Sequence, residues 1–570
     1  MSAAIPTSTT LRVLDETVER LHEGAARWAA APLRERVALA RAMLQGTVRT
    51  AARAVEVACA AKRLAPGSSG AGEEWMSGPY VTARLLRQLA HGLTLLSRNG
   101  STPVGPTSET VDGRLAVRVF PANRLDRVTF PGVRADVHLQ AGVDEAELHA
   151  TRARFYRSPD HAGRVCLVLG AGNISSIPAT DVTTKLFNEG KACLLKMNPV
   201  NAYLGPVLEE AFAEAIARGV LAVVYGGAEE GAYLAAHPAV DEVHITGSDR
   251  THDAIVWGPP GPERAERMAR GRPLLQKEIS SELGNVTPIL VVPGAWDPAT
   301  LRAQAESVAG MVVHNASFDC LSAKLLVLPA GWRHRDAFLA AVEHYLALTP
   351  ARYAWYPGAH DRYASLVDFR APAQVRRVGG GGPGALPWTL VTGLDAGADD
   401  PAFSTEPFCS ILSETTVASE DPVEYLAQAV DFVNERVWGT LCAHVVVHPR
   451  TQRDPALASA LERAVARLRY GTVSIDVWCG YAFGFGTTPW GAWPGAPLND
   501  IQSGRGFVHN TRMLEKVEKT VVRHPARTFP KPVYFPTHRT VEAVGKRLLA
   551  LEAKGSWLEV PGLVSAAVRG

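Results

Sequence analysis

From residue 164 onward, continuous apolar runs alternate with helical segments, and no other feature of the chain restricts its fold as strongly. "RVCLVLG", "KACLLKM", "VLAVVYGG", "DEVHITGS" and "VTPILVVPG" read as strands. Between them "SIPATDVTTKLFNEG", "LGPVLEEAFAEAIARG" and "EEGAYLAAH" read as helices, the first two closed by Gly190 and Gly219. Strands that are apolar on both faces belong in a parallel sheet covered by helices on both sides. Sheets of this kind take ligands at the carboxyl ends of their strands.

The flanking segments follow other periods. Residues 12–64 carry apolar residues at threes and fours with charges between them and read as helices. The Gly- and Ser-rich stretch 65–78 is predicted to be a loop, and 79–98 a further helix. From 113 to 140 short alternating runs with Pro and Gly between them read as two or three strands. Residues 298–347 give helix, the loop "HNASFDC", the strand "AKLLVLPAG" and a helix. The stretch 376–399, with "VGGGGPG", is predicted to be a loop, and 454–469 a helix. "YGTVSIDVW" reads as a strand, the tail 520–540 as extended and 540–553 as a helix.

Bulk properties narrow the function classes. The 59 Lys and Arg against 57 Asp and Glu leave a net charge of +2, which gives no push toward nucleic acid or an anionic membrane. The seven cysteines are widely spaced, without a CxxC or a Cys/His pairing that would suit zinc, and fit a reducing cytoplasm. No secretory leader pattern and no apolar run of membrane-spanning length is seen. The expected setting is a cytoplasmic protein of several structural units.

The motif that matters most is "HNASFDC", residues 314–320, where a small polar run ends at Cys320 before an apolar strand. On composition alone Cys320 is more readily an inert buried thiol than a nucleophile. Other motifs fall around it in a fixed order: "WAAAPLRERVALARAM", "GNISSIP" with Asn173, "LLKMNP" with Lys196, "HITGS" with Gly247 and Ser248, "SELGN" with Glu282, "TEPF" with Glu406 and Phe408, and "GTVSIDVW" leading to "TPWGAWPG". Together, over about residues 20–500, they resemble the aldehyde dehydrogenase superfamily. There are departures. Ser317 and Asn285 stand where that family usually has Gly, and 35 positions separate Gly247 from Glu282 because of the insert around 253–275. The resemblance is to a divergent branch.

The resemblance implies an α/β fold with a Rossmann-type parallel-sheet cofactor domain, an α/β catalytic domain and a small β oligomerisation element. It implies oxidation of an aldehyde to a carboxylic acid with NAD or NADP. Cys320 would be the nucleophile, Asn173 and the Cys320 amide the oxyanion donors, and Glu282 the base that activates water. Glu278 is the local competitor of Glu282. Lys196 would bind the adenosine ribose, Gly247 and Ser248 would lie by the pyrophosphate, Glu406 would hold the nicotinamide ribose, and Phe408 would flank the ring. No GxGxxG follows the first strand, so the usual dinucleotide fingerprint is absent. Pro199 stands where NAD-preferring members often carry Glu, and Arg264, Arg267, Arg270 and Arg272 either face a phosphate or form a solvated helix face. Both cofactors stay open. Asp319 is expected to point away from the Cys320 sulfur, where its charge would oppose thiolate formation. Trp478, Tyr481, Phe483, Phe485 and Trp490 either wall a substrate tunnel or pack as core.

The domain reading is 1–290 for cofactor binding, with the 113–140 strands as the oligomerisation element, 291–485 for catalysis, and 486–570 returning to the cofactor domain and a subunit interface. A homodimer or homotetramer is implied, with no nucleic-acid or membrane partner and no metal. Two alternatives stay open: a CoA-acylating relative working as an acyl-CoA reductase, and a non-catalytic cofactor-binding scaffold.

Overall fold

The computed structural model describes residues 6–158, 161–380 and 382–570. The alternating region forms a six-stranded sheet whose order runs Gly504–Arg505, Glu278–Glu282, Glu242–Thr246, Val165–Leu169, Ala192–Lys196, Leu221–Val224. All neighbours are parallel except the short Gly504–Arg505 edge. Val165–Leu169, Ala192–Lys196 and Glu242–Thr246 are buried along their whole length, as two-sided coverage by helices requires.

A second sheet has eleven strands. At its centre Pro288–Val291 lies between Cys442–Val446 and Leu325–Pro329, all parallel. Thr472–Ile475 and Val517–Arg523 extend the parallel region on one side, Ile411–Val417 and Trp388–Asp395 on the other. Arg134–Leu139 then pairs antiparallel with Val517–Arg523, followed by Leu115–Phe120 and Thr107–Glu109. The chain after residue 500 thus serves both sheets: Gly504–Arg505 closes the six-stranded one, and Val517–Arg523 joins the parallel part of the eleven-stranded one to the 107–139 strands.

Three expectations are corrected. The stretch 65–78 is not all loop, because a helix starts at Ser69 and runs to Trp75, followed by a π-turn over Met76–Tyr80. The Ser68 hydroxyl accepts the Ala71 amide as N-cap. The glycines admit close contacts: a Cβ at Gly72 would lie 2.6 Å from the Glu542 nitrogen. The meander over 113–140 contains a short helix, Arg124–Thr129, whose N-cap Asn123 accepts the Asp126 amide. The 376–399 stretch contributes two antiparallel strands, Val375–Val378 and Trp388–Asp395, because the glycines occupy only the turn between them. Residue 381 of that turn, and residues 1–5, lie outside the described residues.

The last long helix, Val541–Lys554, is anchored to the N-terminal half by one buried cation. The Arg84 guanidinium donates to Glu552 at 2.8 Å, to Asp126 at 3.0 Å and to the Phe485 carbonyl at 3.1 Å. Arg87 also pairs with Glu552. Removing one member of such a cluster leaves uncompensated buried charge, at a cost of about 3–5 kcal/mol. Arg84→Met is therefore expected to lower the urea midpoint strongly, whereas an exposed change such as Arg12→Met, at the i,i+4 pair with Glu16, moves it little.

Candidate active site

All seven cysteines are free, and six are buried; Cys320 alone is half-buried. It sits at the end of a strained turn. Asn315, Ala316 and Ser317 are three consecutive non-glycine residues in the left-handed region, with φ of 49°, 56° and 65°. Such backbone costs of order 1–3 kcal/mol per residue and persists only where its surroundings over-determine it. Those surroundings are visible. The Ser317 hydroxyl donates to the Val312 carbonyl. The Asn315 side chain donates to the carbonyls of Phe318 at 2.8 Å and Asn173 at 3.1 Å. The Asn315 amide donates to Glu73 at 2.9 Å, and Arg352 grips the same carboxylate with two bonds. Lys62 donates to Glu74 at 2.6 Å, to the Asn315 side-chain oxygen at 3.0 Å and to the Asn173 carbonyl at 3.2 Å.

Glu282 ends the strand Glu278–Glu282, paired in register with Thr246. Its Oε1 lies 3.8 Å from the Cys320 Sγ and accepts the Trp490 indole N–H at 2.7 Å. Its Oε2 is buried without a hydrogen-bond partner among the described residues. Burial, with the Asp181 carboxylate adding to it, pushes the Glu282 carboxyl up to about 8. Glu278 has no such setting: its side chain is 71% exposed and pairs with Arg164.

Asp319 does not point away from the thiol. Its Oδ2 meets His314 Nδ1 at 3.1 Å, while its Oδ1 stands 4.0 Å from Sγ. Burial, then Glu282, Asp319 and Glu406, hold the Cys320 thiol well above its usual range. The opposing cation is Lys324, which the sequence reading passed over. Its ammonium donates to the carbonyls of Asp319 at 2.7 Å and Cys320 at 3.2 Å and lies 3.1 Å from Glu406. The available signal was a lysine opening an otherwise apolar strand, "AKLLVLP".

The other expected residues divide into two groups. Glu406 joins the cysteine site through Lys324, and Gly284 makes room for it, since a Cβ there would be 2.1 Å from Oε2. Phe408 packs on Phe318 and Tyr356, with centroids 6.1 and 5.0 Å away. The Asn173 amide donates to the Phe318 carbonyl at 3.1 Å, and the cap of the following helix is Ser176, so Asn173 is not an N-cap. Lys196, Gly247 and Ser248 stand apart from the thiol, at the carboxyl ends of strands in the six-stranded sheet. Lys196 is buried, which lowers its pKa against the pull of Glu230. Gly247 and Ser248 are exposed, and a Cβ on Gly247 would touch only Ile245. Of the insert arginines, Arg264 pairs with Asp253, Arg267 with Glu263 at 3.0 Å and Arg270 with Glu266 at 2.8 Å. These three are paired with neighbouring carboxylates, while Arg272 is exposed and has no ion pair among the described residues.

Cys320 and Glu282 line the inner end of a cavity of about 310 Å³. Trp478, Tyr481, Phe483 and Phe485 line it too, while Trp490 lies behind Glu282 as its hydrogen-bond donor. Among the described residues no cluster of three or more His, Cys, Asp or Glu suits a metal, and no helix is long and apolar enough to cross a membrane.

Residues 173–350 match the aldehyde dehydrogenase family. A 4-trimethylaminobutyraldehyde dehydrogenase of Oryzias latipes is 31% identical over 128 residues, which are 22% of this chain and 23% of that protein. The chain's match thus spans about a quarter of the length of the first curated relatives. Two solved structures share the fold over nearly the whole length. An aldehyde dehydrogenase of Pseudomonas aeruginosa aligns at TM-score 0.62 and 17% identity, covering 90% of this chain and 89% of that one. An NADP-dependent glyceraldehyde-3-phosphate dehydrogenase of Bacillus halodurans, complexed with NADP, aligns at 0.60 and 16%, covering 91% and 92%.

The Glu282 value has a worked sign. Its folded pKa of about 8 exceeds the unfolded value of about 4.3, so the folded state holds the extra proton between them. The contribution is fully present below about pH 4, declines as pH rises and is lost above about pH 8. The melting temperature of the parent is expected to fall toward pH 8–9, and Glu282→Gln to flatten that fall. Because Glu282 also raises the thiol, Glu282→Gln is expected to speed iodoacetamide labelling of Cys320 at fixed pH, by about tenfold per unit of pKa removed.

Proposed function

We propose that the chain is a divergent member of the aldehyde dehydrogenase superfamily and oxidises an aldehyde to a carboxylic acid with NAD or NADP, a reading supported by the match over residues 173–350 and by the shared fold. The observation that carries the reading is the pair itself: a half-buried thiol 3.8 Å from a buried carboxyl poised near pH 8, at the inner end of an apolar cavity.

The Cys320 sulfur attacks the carbonyl carbon as its proton passes to Glu282 Oε1. The new oxyanion takes the Cys320 backbone N–H and the second hydrogen of the Asn173 amide, whose first is held by the Phe318 carbonyl. Lys324 grips the carbonyls of Asp319 and Cys320, which fixes the turn carrying the nucleophile. Trp490 orients the Glu282 carboxyl. A nicotinamide dinucleotide held by Lys196, Gly247, Ser248 and Glu406 would supply the hydride acceptor, and Cys320 would then carry the acyl group as a thioester. Glu282 then releases the thiol's proton to solvent and, as a carboxylate again, removes a proton from water, whose oxygen displaces the sulfur; that proton passes to the departing thiolate and the thiol is restored. A carboxyl with pKa near the working pH suits both proton transfers.

Lys196, Gly247 and Ser248 fit the dinucleotide's adenosine and pyrophosphate, because a buried cation and an open glycine edge stand at the carboxyl ends of a parallel sheet. Glu406 and Phe408 fit the nicotinamide end, beside the thiol. The self-paired arginines give no preference for a 2′-phosphate, so NAD and NADP are both retained. The reading also carries a homodimer or homotetramer with the 107–139 strands at its interface, and a cytoplasmic location.

Cofactor reduction at 340 nm tests the reading. Cys320→Ala is expected to lose at least about a thousandfold in turnover. Glu282→Gln is expected to lose about 10²–10⁴-fold in turnover, because both proton transfers pass through that carboxyl. Equal activity in Cys320→Ala would sink the proposal, and turnover only with added CoA would move it to acyl transfer.

A further inference from the structure

The cavity that ends at Cys320 is largely built by a part of the chain outside the matched 173–350 segment. Leaving Cys320, its wall runs through Trp478, whose indole donates to the Leu321 carbonyl at 3.1 Å. Tyr534 follows, 5.5 Å from Trp478 and hydrogen-bonded to Ser307. Beyond it the lining is aliphatic and C-terminal: Val541, Val544, Leu548, Leu563, Val564 and Ala567. The mouth is marked by two residues that line the cavity and are also exposed, Val128 at 46% and Val564 at 43%. Val128 lies on the Arg124–Thr129 helix and Val564 on Val560–Val568, so the C-terminal helices form one lip.

The charged groups of the lining are accounted for. Glu282 and Asp319 stand at the reacting end, with His314 bonded to Asp319. Glu73 is taken by Arg352 and the Asn315 amide. Lys531 is turned to Thr537 at 2.6 Å and toward Glu306 at 3.8 Å. Burial keeps His524 neutral, its pKa near 4. No unpaired cation therefore lines the distal half among the described residues, and an anionic tail would be desolvated there without compensation. The volume of about 310 Å³ is roughly twice the 150 Å³ that accepts one benzene, hence room for on the order of ten carbons.

We infer that the C-terminal segment 524–567 is the specificity wall of the site and selects uncharged aldehydes with an apolar tail of about eight to ten carbons. The choice of reacting group rests on the proposed aldehyde oxidation; the shape and polarity of the cavity do not. Each methylene that the wall buries is worth roughly fourfold in specificity. Filling the distal half should therefore penalise long substrates far more than short ones.

The test compares kcat/KM for propanal, decanal and a quaternary-ammonium aldehyde in the parent, Val564→Trp and Ala567→Trp, with thermal melts to verify folding. Val564 is exposed, so its replacement does not depend on repacking the core. The parent is expected to favour decanal over propanal by at least about a hundredfold, and the variants to cut that ratio at least about tenfold. A parent that prefers propanal or the cationic aldehyde, or folded variants with an unchanged ratio, overturns the inference. Calorimetric titration with decan-1-ol separates the two proposals. One-to-one binding that Ala567→Trp weakens at least tenfold supports the wall even if no aldehyde is oxidised. Oxidation of short aldehydes by a protein that does not bind decan-1-ol overturns the wall and leaves the oxidation reading intact.

Discussion

The buried ammonium of Lys62 is the interaction on which the candidate site depends. It lies at the end of the helix Leu33–Lys62, is 2% exposed, and reaches Glu74, Asn315 and the Asn173 carbonyl at once. Those partners belong to the helix at 69–75, the cysteine turn and the loop after the first strand of the six-stranded sheet. Without this cation Glu74 would be an unpaired buried carboxylate, which the interior does not tolerate. Together with Arg352 on Glu73, it supplies the external constraint that a run of three left-handed, non-glycine residues needs. Ser317 shows the compensation directly. Where the resembled family usually has glycine, this chain has a side chain that strains the backbone and also donates the bond to Val312 that fixes it.

The sheet architecture was legible because its signal is local. Continuous apolar runs bounded by Gly190 and Gly219 state both the strand and the end of each intervening helix. Cys320, Glu282 and Glu406, which the motif order singles out far apart in the chain, lie together in the structure, Glu282 beside the sulfur and Glu406 joined to it through Lys324. What escaped lay in long-range pairing. The helix at Ser69–Trp75 is hidden by its glycines, of which Gly72 lets Val541 and Glu542 approach from the far end of the chain. Lys324 and Trp490 were unreadable as site residues because their roles are hydrogen bonds to a backbone turn and to a carboxylate oxygen that only the fold brings near. Trp490, open in the sequence between tunnel wall and core, is fully buried and donates its indole N–H to Glu282. Asp319 was expected to turn away because its charge opposes a thiolate, yet His314 holds it beside the sulfur.

That last difference bears on how the thiol works. Three carboxylates surround Sγ, and burial acts in the same direction, so the resting sulfur keeps its proton. A protonated thiol is a poor nucleophile and also a poor target for peroxide, since both reactions need the thiolate. Lys324 offsets the field only in part, because its hydrogens are committed to the carbonyls of Asp319, Cys320 and Ser322. The nearest acceptor for the sulfur's proton is Glu282, whose own affinity for a proton is raised by burial to about pH 8. Above about pH 8, where Glu282 has lost its own proton, sulfur and carboxyl compete for one proton at short range, and moving it from one to the other leaves the net charge of the pocket unchanged. In the proposed reaction the thiolate forms only as Glu282 becomes a neutral acid, which removes one of the three charges opposing it. Under the proposed reaction these anionic surroundings tie activation of the sulfur to protonation of its neighbour, and they keep the thiol protonated when the apolar cavity in front of it is empty.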